Sequence, residues 1–242
     1  MNVVTAVLFD LDDTLFDHAG CARDALIAVQ ASHRSFAAMP FDSLEQAHAR
    51  LLEELHGEVM LGRVPLEQAR IERFRRLLEV AGERHLEDRM IAGLASSYRD
   101  TYRTARRSVR GAAALLAAIR RHARVGIVSN NLAEEQREKL RTCGLDELVD
   151  TLVVSEEAGV SKPDPAIFLL ALERLASRPA DAVMVGDSWP ADVAGARAAG
   201  IRAIWFNPSA TPAPEGAFSV QELRALEPVD AVMRIILDPS RH

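Results

Sequence analysis

The sequence predicts an α/β protein: a doubly wound parallel sheet with an all-helical domain inserted after its first strand. Three observations carry this reading. Short apolar runs rich in β-branched residues recur at 3–9, 124–128, 151–154, 182–185 and 202–206. They are compact rather than alternating, as expected for strands buried on both faces. Helical stretches separate the later runs, and strand–helix alternation implies a parallel sheet covered on both sides. Finally, more than 100 residues lie between the first run and the second, with helical periodicity and almost no strand signal.

Taken in order, the first run leads into VLFDLDDTLFD, residues 7–17, where Asp10, Asp12 and Asp13 crowd beside Thr14. Breakers at Pro40, Gly57, Gly62, Pro65 and Gly82 divide the following segment into roughly four helices. The expected boundaries are a core of 1–16 and 110–242 and a helical insert of 17–109. Past the insert, helices are expected at 111–122, 133–143, 165–176 and 192–199, between the remaining strands. The loop 207–216 is rich in Pro, Ser and Ala and reads as a surface excursion before a terminal helical segment. Open α/β sheets bind ligands beyond the carboxyl ends of their strands. The chain enters the insert at that end, so the insert is expected to roof the site.

Composition narrows the function. With 242 residues the chain can bury a sizeable core. Its 48% apolar and 26% charged residues fit a soluble globular protein. A net charge of -6 gives no electrostatic support for a nucleic-acid or membrane-surface partner. No apolar run reaches the roughly 18 residues a membrane span needs, and the first residues read as a strand, not a signal peptide. Cys21 and Cys143 are the only cysteines; two thiols make neither a disulfide framework nor a four-cysteine zinc site, and point to a reducing compartment, the cytoplasm. Of 29 basic residues only Lys139 and Lys162 are lysine. Where lysine does stand, the position can require it.

Polar residues follow the strands at once. Asp10 and Asp12 follow the first, Ser129, Asn130 and Asn131 the second, and Asp187 and Ser188 the fourth, with Asp192 five residues after Asp187. Lys162 comes after the third strand, in SKPDP. In a doubly wound sheet these residues converge on one rim. Clustered carboxylates repel unless a cation neutralises them, and oxygen ligands without nearby His or Cys suit a hard ion such as Mg²⁺. Ser129, Asn130 and Lys162 supply donors for an anion. Metal and donors around one point describe a phosphoryl clamp. Within it Asp10 can coordinate the metal and attack phosphorus as a carboxylate nucleophile. Asp12 can protonate the leaving oxygen and later activate water, and its carbonyl can face the metal.

Four motifs, in order, resemble the haloacid dehalogenase superfamily: DLDDT at 10–14, the Ser of VSNN, the Lys of SKPDP, and GDSWPAD at 186–192. The long insert between the first and second motifs resembles the subgroup with a helical cap at that place. The resemblance implies a Rossmann-like core and a Mg²⁺-dependent phosphatase acting on a small phosphate monoester through an aspartyl-phosphate. It implies Asp10 as nucleophile and Asp12 as general acid/base. Ser129 and Lys162 would hold the phosphoryl group, with Asn130 beside them. Asp187 would ligate the metal with Asp10 and Asp12. Asp192 would support the metal through water or by pairing with Lys162, and Thr14 would orient the aspartates of the first loop. Helix capping is a rival role for Asp192. Two positions depart from the family pattern: Ala191 stands where Asn is frequent, and Asn131 where Gly is.

Asp12 argues against a dehalogenase, which has no leaving oxygen to protonate. The lysine-free insert argues against chemistry that needs a cap lysine. A phosphomutase keeps all the same residues, and a non-catalytic binding or regulatory protein can share the scaffold. The expected partner is a small phosphate monoester, with no nucleic acid and no membrane, in a monomer or homodimer. Asp13 reads as a turn or surface charge. Arg99, Arg103, Arg106, Arg107 and Arg110 read as a solvated face, with a wall for an anionic substrate as the alternative. His18 and Trp189 flank motifs and are candidates for touching substrate.

Overall fold

The computed structural model describes residues 3–85 and 87–238. Residues 1, 2 and 239–242 of the expected core, and residue 86 of the expected insert, lie outside the described residues. The chain divides into two compact units: Met1–Asp17 with Arg107–His242, and His18–Arg106.

The first unit is built on six parallel strands: β1 (Ala6–Phe9), β2 (Arg124–Ser129), β3 (Thr151–Val154), β4 (Ala182–Gly186), β5 (Arg202–Phe206) and β6 (Gln221–Leu223). Their order is β3-β2-β1-β4-β5-β6. Phe9 pairs with Ile127 on one side and with Val185 on the other. The carboxyl ends of β1, β2 and β4 therefore stand side by side at the centre of one edge. Burial explains the runs: every residue of β1 and β4 is buried. Ala6, Leu8, Val128 and Met184 join Ile167, Phe168 and Leu172 in one core cluster. Each large apolar side chain so buried stabilises by about 1.5–3 kcal/mol.

Two expectations about elements change here. β1 begins at Ala6, and Val3, within the expected strand, is exposed. After the exposed 208–216 stretch the sequence predicts a terminal helix, but the chain first adds β6 along the outer edge of β5, burying Leu223. A three-residue strand with two polar members leaves no pattern to read.

The second unit contains α1 (His18–Ser32), α2 (Arg34–Ala37), α3 (Phe41–Met60), α4 (Leu66–Val80) and α5 (Asp88–Ala105). Gly57, read as a breaker, lies inside α3. A mid-helix Gly costs only about 1 kcal/mol, and the buried Leu44, Leu51 and Leu55 hold that helix to its neighbours. Gly62 and Gly82 do end helical segments, with φ of 68° and 78°. Leu26, Phe36, Leu44, Phe74, Leu77 and Ile91 form its core. His48 is buried there with its ring 4.9 Å from that of Tyr98, and the Arg73 guanidinium lies 5.1 Å from the same ring. Burial, with the charge of Arg73 beside it, holds His48 well below the usual imidazole range.

The remaining helices belong to the first unit: α6 (Ala112–Ile119), α7 (Ala133–Thr142), α8 (Ser155–Ala158), α9 (Pro165–Arg174), α10 (Gly195–Ala198) and α11 (Val229–Leu237). The expected helix 192–199 is split: a π-helical turn, Trp189–Ala194, precedes α10. Among the described residues no helix is long and apolar enough to cross a membrane. Among the described residues, neither Cys21 nor Cys143 is part of a disulfide.

Candidate active site

Asp10 is the first residue past β1, and its N–H donates to the Val185 carbonyl at 3.0 Å. The Nζ of Lys162 lies 2.5 Å from Asp10 Oδ1 and 2.6 Å from Asp192 Oδ1. Asp192 Oδ2 in turn accepts from the Ser188 N–H at 3.0 Å. Carboxylate oxygens of Asp10, Asp187 and Asp192 all come within 4.8 Å of one another. Ser188, not Asp192, caps the π-helical turn, its hydroxyl accepting from the Ala191 N–H. Gly186 makes this approach possible, since a β-carbon there would collide with the Asp192 carboxylate.

One ammonium pairs with two of these three carboxylates, so the group carries a deficit of positive charge. Burial pushes the Asp10 carboxyl well above its ordinary value; Lys162 opposes this, while Asp192 and Asp187 add to it. Asp187 is pushed up to about 7, first by burial and then by Asp192 and Asp13. Burial alone would lower Lys162, but Asp10 and Asp192 outweigh it and hold the ammonium above its ordinary range. Such a site gains from a divalent cation. Its donors are all carboxylate oxygens, which suit a hard ion.

The other expected residues are placed differently. Thr14 is buried, and its hydroxyl donates to Asp187 Oδ1 at 3.2 Å, reaching the fourth loop rather than the aspartates of its own. Asp13 adopts φ 61°, a turn conformation that Asp tolerates better than most residues. Asn130 spends its side chain on Lys162: its Nδ2 donates to the Lys162 carbonyl at 2.8 Å, and its Oδ1 accepts from the Lys162 N–H at 2.7 Å. Its side chain therefore braces the loop that carries the lysine. The backbone of Asp187 is also anchored, its carbonyl accepting from Trp205 Nε1 at 2.8 Å.

Asp12 stands apart from the Asp10 group. Its Oδ1 lies 2.5 Å from Lys139 Nζ, and its Oδ2 accepts from Gln136 Nε2 at 2.9 Å and Asn131 Nδ2 at 3.2 Å. Gln136 Nε2 also donates to Ser129 Oγ at 2.6 Å. Gln136 and Lys139 lie about one turn apart on the buried face of α7, with Ala133 and Leu140. Sequence reasoning assigned neither of them. The signal for Lys139 was present in the scarcity of lysine, but nothing in the motifs said which way it pointed.

The arginine series mostly meets acids. Arg99 pairs with Glu67, Arg107 with Asp17 and Arg110 with Glu227, at 3.1, 2.6 and 2.7 Å. His18 Nδ1 lies 2.7 Å from the Tyr102 hydroxyl, and Trp189 packs edge-on against Trp205, centroids 5.0 Å apart.

A parallel sheet with clustered acids and two buried ammoniums at its carboxyl edge defines the frame of an α/β enzyme. Residues 4–200 match the haloacid dehalogenase-like hydrolase family, and the chain belongs to it. It is 32% identical over 211 residues to a ribulose-1,5-bisphosphate 5-phosphatase from Halopiger xanaduensis, covering 86% of each chain. It is 28% identical over 214 residues to a glyceraldehyde 3-phosphate phosphatase from Pyrococcus furiosus, covering 85% and 82%. Among solved structures, the magnesium-bound HAD-hydrolase YfnB from Bacillus subtilis aligns with TM-score 0.73 and 25% identity, over 96% of this chain and 98% of that one.

Proposed function

We propose that the protein is a Mg²⁺-dependent phosphatase that hydrolyses a small phosphate monoester through an aspartyl-phosphate on Asp10. The single observation that carries this is the Lys162 ammonium shared by Asp10 and Asp192 at the strand ends. The named phosphatases among its relatives support the same reading. Asp10, Asp187 and Asp192 offer the carboxylate oxygens that would hold the ion, with the main-chain carbonyl of Asp12 as a further candidate. When bound, Mg²⁺ supplies positive charge to the phosphoryl oxygens and to the acids around them.

The chain's own residues do the rest. Lys162 and Ser129 donate to phosphoryl oxygens, with the Asn130 backbone N–H beside them. One Asp10 oxygen attacks phosphorus as the ester P–O bond breaks, and Asp12 gives its proton to the departing oxygen. The Asp12 carboxylate then takes a proton from water, whose oxygen attacks phosphorus. The P–O bond to Asp10 breaks, inorganic phosphate leaves and the Asp10 carboxylate is restored. The partner is a small molecule in the cytoplasm.

The test is Asp10→Asn with p-nitrophenyl phosphate and a panel of metabolite phosphates. The parent should release inorganic phosphate with Mg²⁺ present, and the folded variant should not. Turnover by Asp10→Asn at the parental rate refutes the covalent route. Phosphate moved to a second position without release identifies a phosphomutase, and no turnover of any ester by the parent leaves the non-catalytic reading.

A further inference from the structure

We propose that Lys139, with Gln136, is a positioning residue for Asp12, and that Gln136 also ties the acid/base group to the phosphoryl-binding Ser129. This rests on the reading of Asp12 as general acid/base. Lys139 has a side chain only 3% exposed and lies 2.5 Å from Asp12 Oδ1. Its Nζ also lies 5.1 Å from the Phe16 ring centroid. Burying an ammonium is costly unless a partner offsets the lost hydration. A lysine serving only solubility would sit on the surface, where this chain writes arginine.

The geometry shows what the burial achieves. Lys139 holds Asp12 by Oδ1, while Gln136 and Asn131 hold it by Oδ2. Donors on both oxygens, from two directions, fix the plane of the carboxyl group. The Gln136 amide simultaneously donates to Ser129 Oγ. One turn of α7 thus holds the acid/base group by two side chains, and one of them, Gln136, also reaches a phosphoryl donor. A planar guanidinium at 139 would be larger and would direct its donors in a fixed fork. This accounts for lysine in an arginine-writing chain.

The experiment compares Lys139→Met, Lys139→Arg, Asp12→Ala and the double variant Asp12→Ala/Lys139→Met. Each is assayed with Mg²⁺ on glycerol 2-phosphate, which has a poor leaving group, and on p-nitrophenyl phosphate. General acid/base catalysis contributes about 10²–10⁴-fold, so misplacing Asp12 should lower kcat of Lys139→Met on glycerol 2-phosphate at least about tenfold, with KM within about twofold. Single-turnover phosphorylation by p-nitrophenyl phosphate should fall less than about threefold, because that leaving group needs little protonation. Lys139→Arg should fall between parent and Lys139→Met. If Lys139 acts through Asp12, the double variant should match Asp12→Ala within about twofold, whereas independent losses would multiply. A parental kcat in Lys139→Met, or a further tenfold loss in the double variant, overturns the inference. If Lys139→Met is unfolded at assay temperature, Lys139→Arg decides alone: parental kcat at parental Tm refutes the role, and a selective loss on glycerol 2-phosphate supports it. Asp12→Ala at parental rates on glycerol 2-phosphate would instead remove the acid/base reading itself, whatever Lys139 does.

Discussion

Lys162 Nζ stands 2.5 Å from Asp10 Oδ1 and keeps its other close contact, 2.6 Å, on Asp192. A compact ammonium can bridge two carboxylates at such distances, while the guanidinium fork cannot meet both in the same space. Lys162→Arg should therefore lose at least about tenfold in kcat, about 1.4 kcal/mol, despite keeping its charge. Lys162→Ala should lose more. Steady-state kinetics on both variants check this, and a Lys162→Arg enzyme as fast as the parent would show that charge alone suffices.

Gly186 is the close-approach point behind Asp192. An added methyl must push the carboxylate from Lys162 and from the Ser188 N–H. Gly186→Ala should destabilise by about 1–3 kcal/mol, as overpacking does, and should lower kcat at least about tenfold. Thermal melts and kinetics on one preparation measure both, and parental values in both would contradict the packing argument.

The acid group's deficit of positive charge should make Mg²⁺ a stabiliser of the folded state. Chelator should silence turnover and added Mg²⁺ should restore it. At a hundredfold excess over Kd the ion should add about 2.7 kcal/mol of stability. The melt is read without substrate, so it is independent of catalysis. A Tm indifferent to Mg²⁺ would count against the carboxylate site.

His48 makes the second unit sensitive to acid. Its folded pKa lies below the model-peptide value of 6.5, so it is neutral when buried and protonates more readily when unfolded. Its share of stability is intact above about pH 6.5 and is lost as pH falls below that, by up to about 1.4 kcal/mol per pH unit. Melts between about pH 7.5 and 5.5 should show this loss, and His48→Phe should flatten the decline. An unchanged slope in the variant would assign the acid sensitivity elsewhere.

The parts of the fold that were legible share a physical cause. A parallel strand covered on both faces must be apolar throughout, so β1 to β5 appear as short runs. The polar residues that follow must lie at one edge, which is why Asp10, Lys162, Asp187 and Asp192 could be expected to meet. β6 was illegible because an edge strand of three residues needs only one buried side chain, Leu223. The surroundings of Asp12 were hidden for another reason. Lys139 and Gln136 lie 127 and 124 residues away, on a helix whose rotation the sequence does not state. Thr14 was expected to serve its own loop and instead reaches Asp187, because its direction is set by a turn with Asp13 at φ 61°.

The Asn130 amide grips both the N–H and the carbonyl of Lys162, so the loops after β2 and β3 are stapled into one piece. Neither can drift alone. A substitution that tilts the end of β2 would be inherited by the lysine 32 residues later, and through it by Asp10. Changes tolerated at these two loops should therefore come in compensating pairs, and a graft of the lysine loop without its asparagine should carry the charge but lose its aim.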